Sequence, residues 1–237
     1  MPVRLAAGIE VDAVGFDLDH TLGFDDGLEL RLMVRYALAT PGGAAEGEPS
    51  LTSRAAALLA EARAGRRTID EAVIALLEAH LGPEQARLAA VRWRDDAVAA
   101  VPSVMRAAPG MQGCVEWLER HGISLAVLTN GWSPLQQTKL RALGLERLPI
   151  LVSDEIGARK PAASAFASLV DLLGARAERT AYVGDDLSGD ALGAHAASLA
   201  AVWISRSDPS PEEVAALPCE VLTIRSLDAL VPEEMRP

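Results

Sequence analysis

The stretch VDAVGFDLDHTL, residues 11–22, decides the reading of this chain. An unbroken apolar run at residues 13–16 is followed by two acids in alternation, Asp17 and Asp19, and then by Thr21. A short apolar run ending in polar residues is the pattern of a strand buried on both faces that runs out into a loop. With the strand expected to end at Asp19, the period of two turns both carboxylates to the same side. Two carboxylates at one strand tip repel each other unless a cation or a reacting group is there.

Composition sets the outer limits. With 237 residues, 50% of them hydrophobic, the chain can bury one good core and a smaller second unit. No continuous apolar segment has membrane-spanning length, and residues 1–10 lack the apolar core of a secretory signal, so no membrane partner and a cytoplasmic location are expected. Cys114 and Cys219 stand far apart with neither metal-like nor redox-like spacing, which suits buried thiols in a reducing compartment. His20, His80, His121 and His195 form no zinc pattern. A formal charge of -11 without a basic stripe excludes a nucleic-acid polymer as partner. A small anion would have to be handled locally, by a metal and a few basic groups.

After Asp19 the next strand pattern begins only at Ile123. Between them the periodicity predicts a helix over 28–38, a breaker cluster over 41–49, and a second helix over 52–64 closed by Gly65. Thr68 and Glu71 form a capping box for a third, and Gly82–Pro83 open a fourth that runs to about residue 100. Residues 23–104 therefore read as an all-helical insertion, and 1–22 with 105–237 as the main domain. Its pattern is alternating: helices over 111–121, 133–143, 162–173 and 190–197, with strands over 123–129, 149–153, 180–184, 200–204 and 221–224, and a closing segment over 226–230. Ser133, Pro134 and Gln136 supply the start of the 133–143 helix. This is an α/β fold, a Rossmann-like parallel sheet with helices on both faces plus the helical insertion.

Ligands in such sheets bind beyond the carboxyl ends of the strands. Asp17 and Asp19 follow the first; Thr129, Asn130 and Gly131 follow the second; Asp154, Glu155 and then Lys160 follow the third; Gly184, Asp185, Asp186 and Asp190 follow the fourth. One crevice collects them, and the set supports phosphoryl transfer from a monoester. Oxygens of Asp17, the Asp19 main-chain carbonyl and Asp185 suit a hard octahedral ion, Mg2+. The ion and Lys160 offset the repulsion between phosphate and carboxylate. Asp17 can then attack as nucleophile, Asp19 can protonate the leaving oxygen and deprotonate water, and Thr129 with main-chain N–H groups near Asn130 and Gly131 can hold the phosphoryl oxygens.

The order DLDHTL, LTNG, KP, GDDLSGD resembles the four motifs of the haloacid dehalogenase superfamily, and the position of the insertion resembles the subfamily with a helical cap between the first two motifs. The resemblance implies that Asp17 is the nucleophile, Asp19 the general acid and base, Thr129 the phosphate ligand, Lys160 the neutralising lysine, Asp185 a metal ligand and Asp190 a supporting acid. The segments TNGWSPLQQTKLRALGL and VGDDLSGDALGAHAA are similar to the nucleotidase-like branch. Asp186 stands where Ser or Thr is common and is expected to face solvent; Ala162 and Ser198 also depart from the usual pattern without removing a catalytic group. The resemblance implies a phosphatase acting on a small phosphorylated metabolite, a nucleoside monophosphate or a sugar phosphate. The alternatives are a sugar phosphomutase, a haloacid dehalogenase and a non-catalytic phosphate-binding protein. A monomer or weak homodimer is the default.

Overall fold

Residues 13–16 lie in the middle of a six-stranded parallel sheet, paired on one side with residues 124–127 and on the other with residues 180–183. All four are buried, which is why the run is apolar without alternation. The computed structural model describes residues 3–5 and 8–232. In chain order the strands are β1 (Val3–Arg4), β2 (Glu10–Val11), β3 (Ala13–Phe16), β4 (Gly23–Phe24), β5 (Arg106–Ala107), β6 (Ser124–Thr129), β7 (Ile150–Val152), β8 (Thr180–Gly184), β9 (Ala200–Ile204) and β10 (Leu222–Ile224). The α-helices are α1 (Leu28–Leu38), α2 (Pro41–Glu46), α3 (Glu48–Arg63), α4 (Ile69–Leu81), α5 (Pro83–Val104), α6 (Met111–Arg120), α7 (Leu135–Ala142), α8 (Ser153–Ile156), α9 (Ala163–Leu173), α10 (Gly193–Ala196) and α11 (Pro211–Ala216).

The chain divides into two units, Met1–Phe24 with Arg106–Pro237, and Asp25–Met105. Of the main domain expected from the sequence, residues 1, 2, 6, 7 and 233–237 lie outside the described residues. In the first unit the sheet order is β10-β9-β8-β3-β6-β7. The chain therefore moves outward from β3 to β6 and β7, then returns to the opposite side of β3 with β8. That reversal makes the carboxyl end of β3 the topological switch point of a Rossmann-like sheet, where a crevice opens. Gly15 lets α9 approach β3, since a Cβ there would stand 2.4 Å from the Leu169 side chain. Phe166, Leu169, Tyr182 and Trp203 belong to the core on that face.

β3 stops at Phe16 rather than Asp19. The Asp17 N–H still donates to the Val183 carbonyl at 2.9 Å, but the chain then turns, with Leu22 N and Gly23 N both donating to Leu18 O. The antiparallel pair β4–β5 follows, so the points where the chain leaves and re-enters this unit are joined. The segment after β8 is also not the helix expected over 190–197: a π-helical turn, Leu187–Leu192, precedes the short α10. The closing strand is Leu222–Ile224, followed by a 3-10 turn, Leu227–Leu230.

The second unit is a bundle of α1 to α5 around Met33, Leu51, Val73, Leu76, Trp93 and Val101. The Thr68–Glu71 capping box is formed at the start of α4. The breaker cluster at 41–49 instead holds α2 and the start of α3. Thr40 caps α2 and Pro41 occupies its first turn, where a missing N–H costs nothing, and Gly47 at φ 89° separates the two helices. α5 continues past residue 100 to Val104, with Pro102 inside it. Among the described residues, no helix is long and apolar enough to cross a membrane.

Candidate active site

Asp17 extends directly from β3 into the switch-point crevice. Lys160, in the loop between α8 and α9, donates from Nζ to Asp17 Oδ1 at 2.5 Å, to Asp190 Oδ1 at 2.7 Å and to the Tyr182 hydroxyl at 2.8 Å. All three ammonium donors are thus directed by buried partners, and the Tyr182 hydroxyl in turn donates to Leu128 O. Asp190 Oδ2 accepts the Asp186 N–H at 3.0 Å, so both its oxygens are engaged. Gly184 makes room for it: a Cβ there would lie 2.2 Å from Asp190 Oδ2. Burial lowers the affinity of Lys160 for its proton, but Asp17 and Asp190 outweigh that and hold it well above the usual lysine range. Burial pushes the Asp17 carboxyl well up, with Asp190 and Asp185 adding to it and Lys160 opposing.

Asp185, at the end of β8, is raised to about 6, chiefly by burial and then by Asp190. Its carbonyl accepts the Trp203 indole N–H at 2.9 Å. Asp17, Asp185 and Asp190 each offer an oxygen within 4.8 Å of the others. Three acids share one lysine, which leaves positive charge in deficit; the Asp17 and Asp185 carboxyls are raised chiefly by burial, with the neighbouring acids adding to it. An oxygen-liganded divalent cation fits that deficit. Both Asp190 oxygens already accept hydrogen bonds, from Lys160 and from Asp186 N, whereas Oδ2 of Asp17 accepts none from Lys160.

Asp19 takes a different set of partners. Lys139 Nζ donates to its two oxygens at 2.8 and 3.0 Å, and Gln136 Nε2 donates to its Oδ2 at 2.9 Å and to Thr129 Oγ1 at 2.7 Å. Gln136 therefore does not cap α7, which begins at Leu135 with no side-chain cap. The Thr129 hydroxyl, accepting from Gln136, keeps its own proton to donate. Asn130 exchanges two hydrogen bonds with the Lys160 backbone, at 2.9 and 3.0 Å, and so anchors the lysine loop. The Gly131 N–H, expected among the donors to phosphoryl oxygens, donates to Ser153 Oγ at 3.0 Å instead. Asp186 is exposed and accepts from Ser188 N and Gly189 N at 2.9 Å, which closes the loop before the π-helical turn.

Four site residues escape the sequence reading: Gln136, Lys139, Tyr182 and Arg206. The only signal for Tyr182 is a hydroxyl inside the apolar strand TAYVG. Arg206, just past β9, donates to the carbonyls of His20 and Thr21 and stacks 4.8 Å from the Phe24 ring centroid. It holds the turn after Asp19, in which His20 adopts φ 60° and its ring packs edge-to-face with Phe24 at a centroid distance of 5.8 Å. Trp132 is buried.

A parallel α/β core that gathers an acidic cluster and a buried lysine at its switch point is an architecture of hydrolases. The chain matches the model of haloacid dehalogenase-like hydrolases over residues 11–198 and belongs to that family. Over 110 residues it is 36% identical to ribulose-1,5-bisphosphate 5-phosphatase of Halopiger xanaduensis, which covers 46% of this chain and 45% of that one. Over 101 residues it is 39% identical to phosphoserine phosphatase of Thermus thermophilus, covering 42% and 40%. The matches thus span less than half the length of these two curated relatives. Among solved structures, a 2-haloacid dehalogenase from Pseudomonas syringae shares the fold, with a TM-score of 0.68 at 24% identity over 92% of this chain and 95% of that one.

Proposed function

We propose that the protein is a magnesium-dependent phosphomonoester hydrolase that acts on a small phosphorylated metabolite, a nucleoside monophosphate or a sugar phosphate, through an aspartyl-phosphate intermediate. The observation that carries the reading is the buried Asp17 carboxylate, held against Lys160 and beside Asp185, with a second carboxylate, Asp19, separately held two residues on. The named activities of the two relatives, both phosphatases, support the same reaction class.

Asp17 attacks phosphorus, the bond to the ester oxygen breaks with its electron pair, and that oxygen takes a proton from Asp19. Water then attacks the phosphoenzyme and loses a proton to Asp19, which restores the Asp17 carboxylate. Such proton transfers are worth about 10²- to 10⁴-fold. Lys160 lowers the repulsion between Asp17 and the incoming phosphate, and the Thr129 hydroxyl donates to a phosphoryl oxygen. A divalent ion on Asp17, Asp185 and the Asp19 carbonyl would supply further positive charge. In this reading the helical unit, residues 25–105, serves in selecting the substrate. A haloacid dehalogenase would have no use for an acid at residue 19.

The test is phosphate release, with magnesium, from nucleoside monophosphates, sugar phosphates and phosphoglycolate, beside Asp17→Asn. Release from one class, abolished by the substitution and by chelator, is the expected result; retained release in Asp17→Asn would overturn the assignment. Binding has its own readout: magnesium at 100 times its Kd should stabilise the fold by about 2.7 kcal/mol, and Asp185→Asn should remove that gain.

A further inference from the structure

Asp19 follows Asp17 by two residues, yet its carboxylate is held by a helix more than a hundred residues away in sequence. We infer that Lys139 and Gln136 are positioning residues for Asp19: they fix the carboxylate that gives and takes the proton, and they tie it to the Thr129 hydroxyl. The inference rests on the phosphatase reading above.

The two residues stand three apart on α7, so they share one helix face. Both are buried despite their polarity, Lys139 at 1% exposure and Gln136 at 2%. A lysine and an amide are kept in such a place only by specific partners. Lys139 spans both Asp19 oxygens, and Gln136 Nε2 adds a bond to Oδ2. A carboxylate has about four acceptor directions, so three are taken and the one left for proton transfer is on Oδ1. The Asp19 side chain stays 30% exposed, which leaves that direction reachable. Gln136 is itself set by its neighbours: a Cβ on Gly131 would stand 2.8 Å from its Cγ, and its Oε1 is buried without a hydrogen-bond partner. An unsatisfied buried oxygen is costly, so the Nε2 bonds to Asp19 and Thr129 decide how the amide is turned.

The experiment compares kcat/KM on two esters in the full chain with magnesium: p-nitrophenyl phosphate, whose leaving group departs without a proton, and the best alkyl phosphate from the screen above. kcat/KM reports the first phosphoryl transfer, where Asp19 protonates the leaving oxygen. Lys139→Met and Gln136→Met should each lose about 10- to 100-fold on the alkyl ester, within the range of proton-transfer catalysis, and less than about threefold on the aryl ester. Asp19→Asn should show the same ester dependence, and adding Lys139→Met to it should cost nothing more, since both changes remove one function. General damage to the fold would lower both esters alike, so equal losses overturn the inference, as do losses that multiply in the double variant. Gln136→Met leaves the charge pair intact and carries the test where Lys139→Met does not fold. If Asp19→Asn leaves the ester ratio unchanged, the acid–base role of Asp19 fails and this inference falls with it, whereas absence of phosphate release from every ester, or release retained in Asp17→Asn, is what fails the phosphatase reading; if Asp19→Asn shifts the ratio and the α7 variants do not, only this inference falls.

Discussion

Lys160 Nζ lies 2.5 Å from Asp17 Oδ1, bringing together residues 143 apart in sequence, with both side chains almost wholly buried. The same ammonium serves Asp190 at 2.7 Å, so one cation compensates two buried acids. Removing it leaves both uncompensated. Lys160→Met is expected to cost about 3–5 kcal/mol in denaturant melts without metal, the usual penalty for orphaning a buried charge. Magnesium should recover part of that loss, because it replaces some of the missing positive charge, while phosphate release should stay about 10²- to 10³-fold down.

Gly184 and Asp190 are coupled by space. A methyl group at residue 184 would sit 2.2 Å from Asp190 Oδ2 and 2.4 Å from its Cγ. Gly184→Ala must therefore push Asp190 off Lys160, and it is expected to cost about 1–3 kcal/mol, as overpacking does. Activity should fall further than stability alone explains, which parallel melts and phosphate-release assays will read.

In the helical unit, Thr68 Oγ1 accepts the Glu71 N–H at 3.2 Å while the Glu71 carboxylate accepts the Thr68 N–H at 2.7 Å. Thr68→Ala should destabilise by about 1 kcal/mol through loss of the cap. Denaturant midpoints check the size.

The chain has two tyrosines, and both resist ionisation. Tyr36 is raised to about 12, by burial and by the hydroxyl bond to Asp96, and burial raises Tyr182 well above the usual range. For an acid whose folded value lies above the unfolded one, stability is intact below the unfolded pKa, about 10, and is lost as pH rises beyond it. Ultraviolet titration of the native protein at pH 11 should show almost no tyrosinate, and denatured protein should show both. A native signal of two tyrosinates at that pH would contradict the burial of the Tyr182 hydroxyl.

Thiol labelling offers a parallel check on the core. Burial pushes the Cys114 thiol up to about 12, and Cys219 is exposed. At pH 8 a thiolate reagent should count one cysteine in the native protein and two after denaturation.

Much of the fold and of the acid cluster could be read before any coordinates. The apolar run at residues 13–16 marks a strand buried on both faces, and short apolar strands alternating with helical periods mark a parallel sheet. The acids at 17, 19 and 185 and the lysine at 160 each follow a strand, and a parallel sheet brings its strand ends to one edge. What stayed hidden was how these groups are held. Gln136 looks like part of a helix start because local capping patterns are what sequence spacing can show; its bond to Asp19 spans 117 residues. Lys139 looks like one more surface lysine, and only packing reveals that it is buried. The Gly131 N–H looks free until Ser153 is seen beside it, and Tyr182 looks like core until its hydroxyl meets Lys160. Sequence by itself determined which chemical groups stand at the strand ends, because periodicity and strand order are local or topological properties. Only the tertiary structure decided which of them touch, since a hydrogen bond depends on tenths of an ångström between residues that local pattern never brings together.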